Sequence, residues 1–402
     1  MTAVAVTGIG AIAPNGKGTD AYWKSTVEGT GGITALSRFD ASRYPAKVAG
    51  EVPFDPAAHL PSRLIPQTDH MTRLALTAAA WALDDAGVQP SELPEFSTGV
   101  ITASSAGGFE FGQRELERLW SKGPEYVSAY QSYAWFYAVN TGQISIRHGM
   151  RGPSGVVVSD QAGGLDAIAQ ARRQLRKGTK LIVSGGVDGS LCPWGWVAQM
   201  AGNRMSTSQD PDAAYLPFDS KADGHVPGEG GALLVMEDLA SARQRGAEIY
   251  GEIAGYGATM DPKPGSAREP GLRRAITTAL DDAGVSPDEV DVVFADAAAV
   301  PELDRLEVEA INAVFGAGRV PVTAPKTMTG RLAGGAGALD VAAALLSIRD
   351  GVIPPTVNVC RAPEYDIDLV SGEARPARVR TAVVLGRGQG GFNSAVVVRA
   401  AR

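Results

Sequence analysis

One seven-residue string occurs twice in this chain, and its recurrence limits the possible folds more than any other feature. Ala-Leu-Asp-Asp-Ala-Gly-Val reads at 82–88 and again at 279–285. Each copy closes an amphipathic helix, carried by Leu74, Leu76 and Ala78 to Leu83 in the first and by Leu272, Ile276 and Leu280 in the second. The Gly of each copy stands where the left-handed conformation that ends a helix costs least. A Pro and an acidic turn follow both times, Pro90-Ser91-Glu92 and Pro287-Asp288-Glu289. Each turn then leads into an apolar run that reads as a strand, 98–103 and 290–295.

A second pair of segments repeats in the same order. Ala162-Gly163-Gly164-Leu165-Asp166 opens a helix ending near Gly178, and Gly335-Ala336-Gly337-Ala338-Leu339-Asp340 opens one ending near Gly351. Apolar strands follow at 181–184 and 382–385. Strands alternating with helices of this length predict an α/β fold of βαβ units with mostly parallel, buried strands. Repetition of order and punctuation predicts duplicated halves packed together, residues 1–247 and 248–402. A charged helix at 241–247 before a strand at 250–255 marks the junction. The first half carries an inserted stretch at 105–150, and insertions into a repeated scaffold are where specificity usually sits.

Composition narrows the partners. Of the 402 residues 44% are hydrophobic and 20% charged, as in a globular protein, and the formal net charge is −7. That balance argues against nucleic acid and anionic membrane surfaces. No apolar run approaches the ~18 residues of a membrane span, and Met-Thr-Ala-Val-Ala-Val-Thr-Gly at the start reads as a first strand, so a cytoplasmic location is expected. Cys192 and Cys360 are the two cysteines and lack metal-like spacing; both read as small buried apolar residues in a reducing compartment.

The strand at 156–159 runs straight into a turn and a helix, through Asp160, Gln161, Ala162, Gly163 and Gly164. Backbone N–H groups and the helix dipole at such an elbow stabilise an anion, and would activate a thiolate. The residue there is Gln161, which cannot be a nucleophile.

Around this elbow the chain resembles the β-ketoacyl synthase family of the thiolase fold. The resemblance rests on Val6-Thr7-Gly8-Ile9-Gly10 through Pro14-Asn15-Gly16, on Pro217-Phe218-Asp219, and on Ala222-Asp223-Gly224 through Gly228-Glu229-Gly230-Gly231. It implies duplicated βαβαβ halves in a layered α-β-α-β-α architecture. Such ketosynthases carry Cys at the elbow, one His in a His-Gly-Thr segment and a second His after Lys-x-x-x-Gly. The matching positions here hold Gln161, Asp296 (before Ala297-Ala298, with Pro301 and Asp304 downstream) and Arg331, while Lys326 is retained. All four histidines, His59, His70, His148 and His225, lie in the first half, so the second half offers no imidazole to a thioester carbonyl. The tail Gly388-Gln389-Gly390-Gly391-Phe392 resembles the Gly-rich loop behind a ketosynthase active site, with Gln where Phe is usual.

The variant that fits these losses is the chain-length factor of aromatic type II polyketide synthases. Its resemblance covers Val158 to Asp166, Trp135 to Pro153, and Gly185-Gly186-Val187-Asp188. It implies a subunit without catalysis of its own, in a heterodimer with a catalytic ketosynthase α subunit. The pair would extend an acyl chain held on the phosphopantetheine of an acyl carrier protein, and no cofactor would bind this chain directly. The growing poly-β-ketone would enter a water-poor tunnel at the interface, with Phe109, Gly112, Leu116 and Tyr133 along it. Acyl carrier proteins are usually acidic, so the partner would supply most of the docking surface. On this reading Phe109 narrows the channel, whereas Gly112 and Leu116 leave it open about one helical turn further, roughly 5 Å, favouring a product of about twenty carbons (C20) over about sixteen (C16). The alternative is an enzyme that decarboxylates malonyl-acyl carrier protein through the Gln161 amide.

Overall fold

The computed structural model describes residues 2–263 and 265–401. Both copies of the repeated string behave as their punctuation predicts. Helix His70–Asp85 is followed by Gly87 at φ +59°, and helix Leu272–Ala283 by Gly284 at φ +62°. Single 3₁₀ turns follow at Pro90–Glu92 and Pro287–Glu289, then strands Thr98–Ala103 and Val292–Phe294.

The strands join in a mixed sheet of twelve. One half pairs Ser154–Val157, Thr98–Ala103, Leu181–Asp188, Gly230–Asp238 and Val4–Ala13 in that order. The other pairs Pro321–Thr323, Val292–Phe294, Thr381–Gly388, Phe392–Arg399 and Gly251–Met260. Each half thus repeats one strand order, and the halves meet where Ala5 and Val6 pair with Glu252 and Gly251. The expectation of mostly parallel strands holds only for the outer part of each half. The last strand of each half returns antiparallel, Gly230–Asp238 beside Leu181–Asp188 and Phe392–Arg399 beside Thr381–Gly388. In the second half Gly388 and Phe392, joined by a short Gly-rich turn, form the last register pair, a connection that only antiparallel strands allow.

Layers follow from burial. Helices Gly163–Leu175 and Ala336–Asp350 occupy the centre, and the second is buried from Ala336 to Ser347. With strands of both halves they build one apolar cluster, including Leu165, Ile168, Leu234, Leu345, Val384 and Val396. Helices His70–Asp85 and Leu272–Ala283 cover the outer faces, in separate clusters. Close approach of the central helices explains their Gly-rich starts. A Cβ on Gly164 would stand 2.6 Å from the Ala338 nitrogen, and one on Gly337 2.8 Å from the Leu165 side chain.

Between these repeats, helices Phe109–Lys122 and Val139–His148 form the inserted stretch of the first half. Among the described residues no helix is long and apolar enough to cross a membrane.

Candidate functional site

The strand Ser154–Val157 ends earlier than its apolar run, and the chain turns through Ser159 and Asp160 into the helix Gly163–Leu175. Asp160 sits at φ +51°, a left-handed conformation uncommon outside Gly and tolerated best by short polar side chains. The turn is clamped from both sides. Ser159 Oγ donates to Asp166 in the first helical turn at 2.5 Å, and the Asp160 carboxylate accepts from the Gln389 backbone N–H at 2.9 Å. The loop carrying Gln389 lies against the elbow: a Cβ on Gly388 would fall 2.3 Å from the Ser159 carbonyl oxygen.

Gln161 is 8% exposed at the helix N-terminus, and its Oε1 is buried without a hydrogen-bond partner. It borders a cavity of about 310 Å³ together with Asp296, Arg331 and the Gly-rich tail loop 388–391. The three positions that the resemblance matches to catalytic residues are therefore brought to one place, although they stand far apart in sequence.

Asp296 and Arg331 form a buried ion pair. Both terminal guanidinium nitrogens of Arg331 donate to the carboxylate at 3.1 Å, and Nη1 also donates to the Asp296 carbonyl at 2.9 Å. Nη2 reaches the Arg387 carbonyl at 3.2 Å, while the Arg387 backbone N–H donates to the Asp296 carboxylate at 2.8 Å. Burial alone would raise the Asp296 pKa, but Arg331, then Lys326 and Arg387, hold it below the ordinary carboxylate value. Burial likewise acts to discharge Arg331, and Asp296 outweighs it. Lys326 is spent on a 2.7 Å ion pair with Asp340 and on the Ala295 carbonyl.

The loop 296–299 has two non-glycine residues at positive φ, Ala297 and Ala299. Two buried carboxylates keep it so. Glu307 accepts from the N–H groups of Asp296 at 2.6 Å and Ala297 at 2.8 Å, and Asp304 from those of Ala299 at 3.0 Å and Phe218 at 2.9 Å. Burial pushes the Asp304 pKa up to about 7, with the neighbouring Glu307 adding to it.

The second half supplies no imidazole, but the first half does. His225 borders the same cavity, and burial, then the nearby Arg331 charge, push its pKa down to about 3, so the ring is neutral. The sequence reading placed His225 within a family segment and gave it no role. The backbone pairing of Pro227 with Arg331 brings the His225 segment to the site, a tertiary contact without a sequence signal.

The expected tunnel residues divide. Phe109 borders the cavity, and its ring lies 4.6 Å from that of Trp194. Gly112 is buried, but the room expected beside it is occupied: an added Cβ would meet the Trp194 ring at 3.4 Å and the Trp135 Cβ at 3.6 Å. Leu116 is 38% exposed, and Tyr133 is half-buried with its hydroxyl 3.5 Å from the Gln67 side-chain oxygen. Trp120, Trp135, Phe136, Tyr137 and Val158 are likewise exposed. Cys192 is buried with its thiol pKa raised to about 11, chiefly by burial, as a structural role requires. Cys360 is exposed, against the expectation of burial, because its loop holds to the core through its backbone N–H, donated to Asp219 at 2.7 Å. No cluster of His, Cys, Asp and Glu among the described residues could hold a metal ion.

Comparison with known proteins fits this geometry. Residues 1–242 match the family described as beta-ketoacyl synthase, N-terminal domain, and residues 250–360 the corresponding C-terminal domain. The chain is 61% identical over 400 residues to the tetracenomycin polyketide synthase ketoacyl synthase beta subunit of Streptomyces glaucescens, covering 98% of each. Among solved structures, the ishigamide ketosynthase/chain length factor superposes with a TM-score of 0.89 at 29% identity, over 100% of both chains. A type II polyketide synthase acyl-carrier protein in complex with its ketosynthase, bound to the hexaketide, gives 0.88 at 27% identity, again over 100% of both chains. An elbow without its nucleophile and a ketosynthase fold matched from end to end together show that this chain belongs to the β-ketoacyl synthase family, among the β subunits of polyketide synthases.

Proposed function

We propose that this chain is the non-catalytic partner of a ketosynthase α subunit and forms one wall of the tunnel in which a poly-β-ketone grows. The observation that carries this reading is the Asp296–Arg331 ion pair, which fills the places of two imidazoles next to an elbow that holds Gln161. A carboxylate held ionised would repel a developing enolate, and a guanidinium already bonded to Asp296 and two carbonyls has little left to offer an oxyanion. The partner would supply the nucleophile and accept chains from the phosphopantetheine of an acyl carrier protein. The exposed rings of Trp135, Phe136 and Tyr137 and the sheet-edge strand Ser154–Val157 are the surfaces this partner would cover. The halves dividing at 247/248 would then act as one rigid support for those surfaces.

The test is reconstitution. Mixed with its α subunit, acyl carrier protein and malonyl donors, this chain should be required for polyketide formation, and removing the partner's nucleophilic cysteine should abolish it. Product formed without the partner's cysteine would end the proposal.

One observation favours a second reading. The Gln161 side chain, whose amide NH2 can donate to a thioester carbonyl, and the neutral His225 ring border the same cavity, as a malonyl thioester site would need. There the bond from the carboxylate to the α-carbon would break, carbon dioxide would leave, and the enolate would take up a proton. Carbon dioxide released from malonyl-carrier protein by this chain alone, and lost in Gln161→Ala, would support it.

A further inference from the structure

The strand Leu181–Asp188 ends on a buried carboxylate that the proposed function leaves unused. Asp188 Oδ2 accepts from the Ser105 N–H at 2.5 Å and from the Gly334 N–H at 3.1 Å. Its Oδ1 accepts from the Gly189 N–H at 3.0 Å and from the Ser104 hydroxyl at 3.4 Å, and the Ala106 N–H lies 3.4 Å from both oxygens. Burial lifts the Asp188 pKa to about 6 against the pull of these N–H groups, so at neutral pH it stays an ionised acceptor on both sides. The donors belong to three separate segments. Residues 104–106 lead from the strand Thr98–Ala103 into the helix Phe109–Lys122, Gly189 begins the turn after Asp188, and Gly334 lies between Arg331 and the central helix Ala336–Asp350 of the second half. Ser105, Ala106, Gly189 and Ala333 from these segments all border the cavity. Glycines let them close on one another: a Cβ on Gly186 would fall 2.2 Å from the Gly334 carbonyl oxygen, and one on Gly334 3.0 Å from Asp188 Oδ2.

We infer that Asp188 is a positioning residue that fixes the loop entering the helix Phe109–Lys122 against the second-half loop that follows Arg331. The inference rests on the tunnel reading given above. One carboxylate oxygen joins the two halves through Ser105 and Gly334, and the other ties the same hub to its own strand end through Gly189. Hydrogen bonds to an ionised acceptor are the stronger kind and set direction as well as distance. Asp188 fills no tunnel volume and touches no reacting atom. Its removal therefore does not exchange one tunnel length for another: the wall that begins at residue 105 loses its fixed place relative to the second half, and products spread to both sides of the native length.

The experiment uses the heterodimer reconstituted with its α subunit, acyl carrier protein and malonyl donors, with products identified by mass and thermal unfolding of the complex followed beside them. Asp188→Ala removes every acceptor, and the ratio of native-length product to all others should fall by roughly tenfold in the assembled complex. Asp188→Asn keeps one carbonyl oxygen, enough for Ser105 and Gly334 together, and should restore most of that ratio. Gly334→Ala repeats the test from the second half in case Asp188→Ala does not assemble, since its Cβ would displace the loop without altering the carboxylate. A role confined to stability would lower the unfolding temperature of the variants and leave the product ratio of the assembled complexes unchanged, and that result refutes positioning. Products from Asp188→Asn as scattered as those from Asp188→Ala would refute the link through Ser105 and Gly334. If the α subunit gives the native distribution without this chain, the tunnel reading fails and takes the inference with it. If the native distribution needs this chain and survives both Asp188→Ala and Gly334→Ala, the positioning alone is refuted.

Discussion

Replacing Asp296 with Ala tests whether the buried ion pair is a structural necessity. In the native chain the carboxylate receives both terminal nitrogens of Arg331 at 3.1 Å and the Arg387 N–H at 2.8 Å. Asp296→Ala leaves the guanidinium inside the protein with two carbonyl acceptors and only the weaker influence of the Asp160 charge. Stranding one member of a buried pair costs about 3–5 kcal/mol, whereas replacing both members with apolar groups is often neutral. Net stabilities of ~5–15 kcal/mol make the single loss a substantial fraction of the whole. Asp296→Ala/Arg331→Met removes both charges, and should recover most of the loss but not all, because Arg331 also serves carbonyl oxygens. The assay is urea unfolding of the co-purified heterodimer with an unaltered partner, run as a double-mutant cycle. The expected single-variant losses are about 3–5 kcal/mol each, with a coupling of at least ~2 kcal/mol in the double. A loss under ~1 kcal/mol in Asp296→Ala, or a double variant as damaged as the sum of the singles, would refute the reasoning.

Three further outcomes follow. Asp304, with its pKa raised from 3.8 to about 7, keeps a proton in the folded chain that the unfolded chain releases, so its penalty is absent below pH 3.8, grows through that window and is complete above about 7. Stability measured across those pH values should fall less steeply in Asp304→Asn; an unchanged slope would contradict it. Gln161→Cys, with the partner's cysteine removed, should give no condensation, because on the proposed reading the ion pair stands where a ketosynthase has its two imidazoles; product from that variant would overturn the role given to Asp296 and Arg331. Expressed alone, the chain should self-associate through the face holding Trp135, Phe136 and Tyr137, and sedimentation should show a 1:1 complex when the α subunit is added; a clean monomer indifferent to its partner would speak against that surface as an interface.

What the sequence determined by itself was whatever is written locally and written twice. The 82–88 and 279–285 strings carry their own helix ends and turns, so both halves could be read from short-range chemistry, including left-handed Gly87 and Gly284. The vacancy at Gln161 was equally legible, because an elbow between strand and helix is a local feature. The rest needed tertiary structure. That Asp296 and Arg331 neutralise each other depends on a contact across 35 residues, and that His225 joins them depends on the bridge from Pro227 to Arg331. Gly112 looked like room because a sequence shows the side chain that is missing and not the one that arrives. Trp194 comes from another helix, and close packing in interiors means a vacated volume is usually filled by whichever neighbour the fold brings to it.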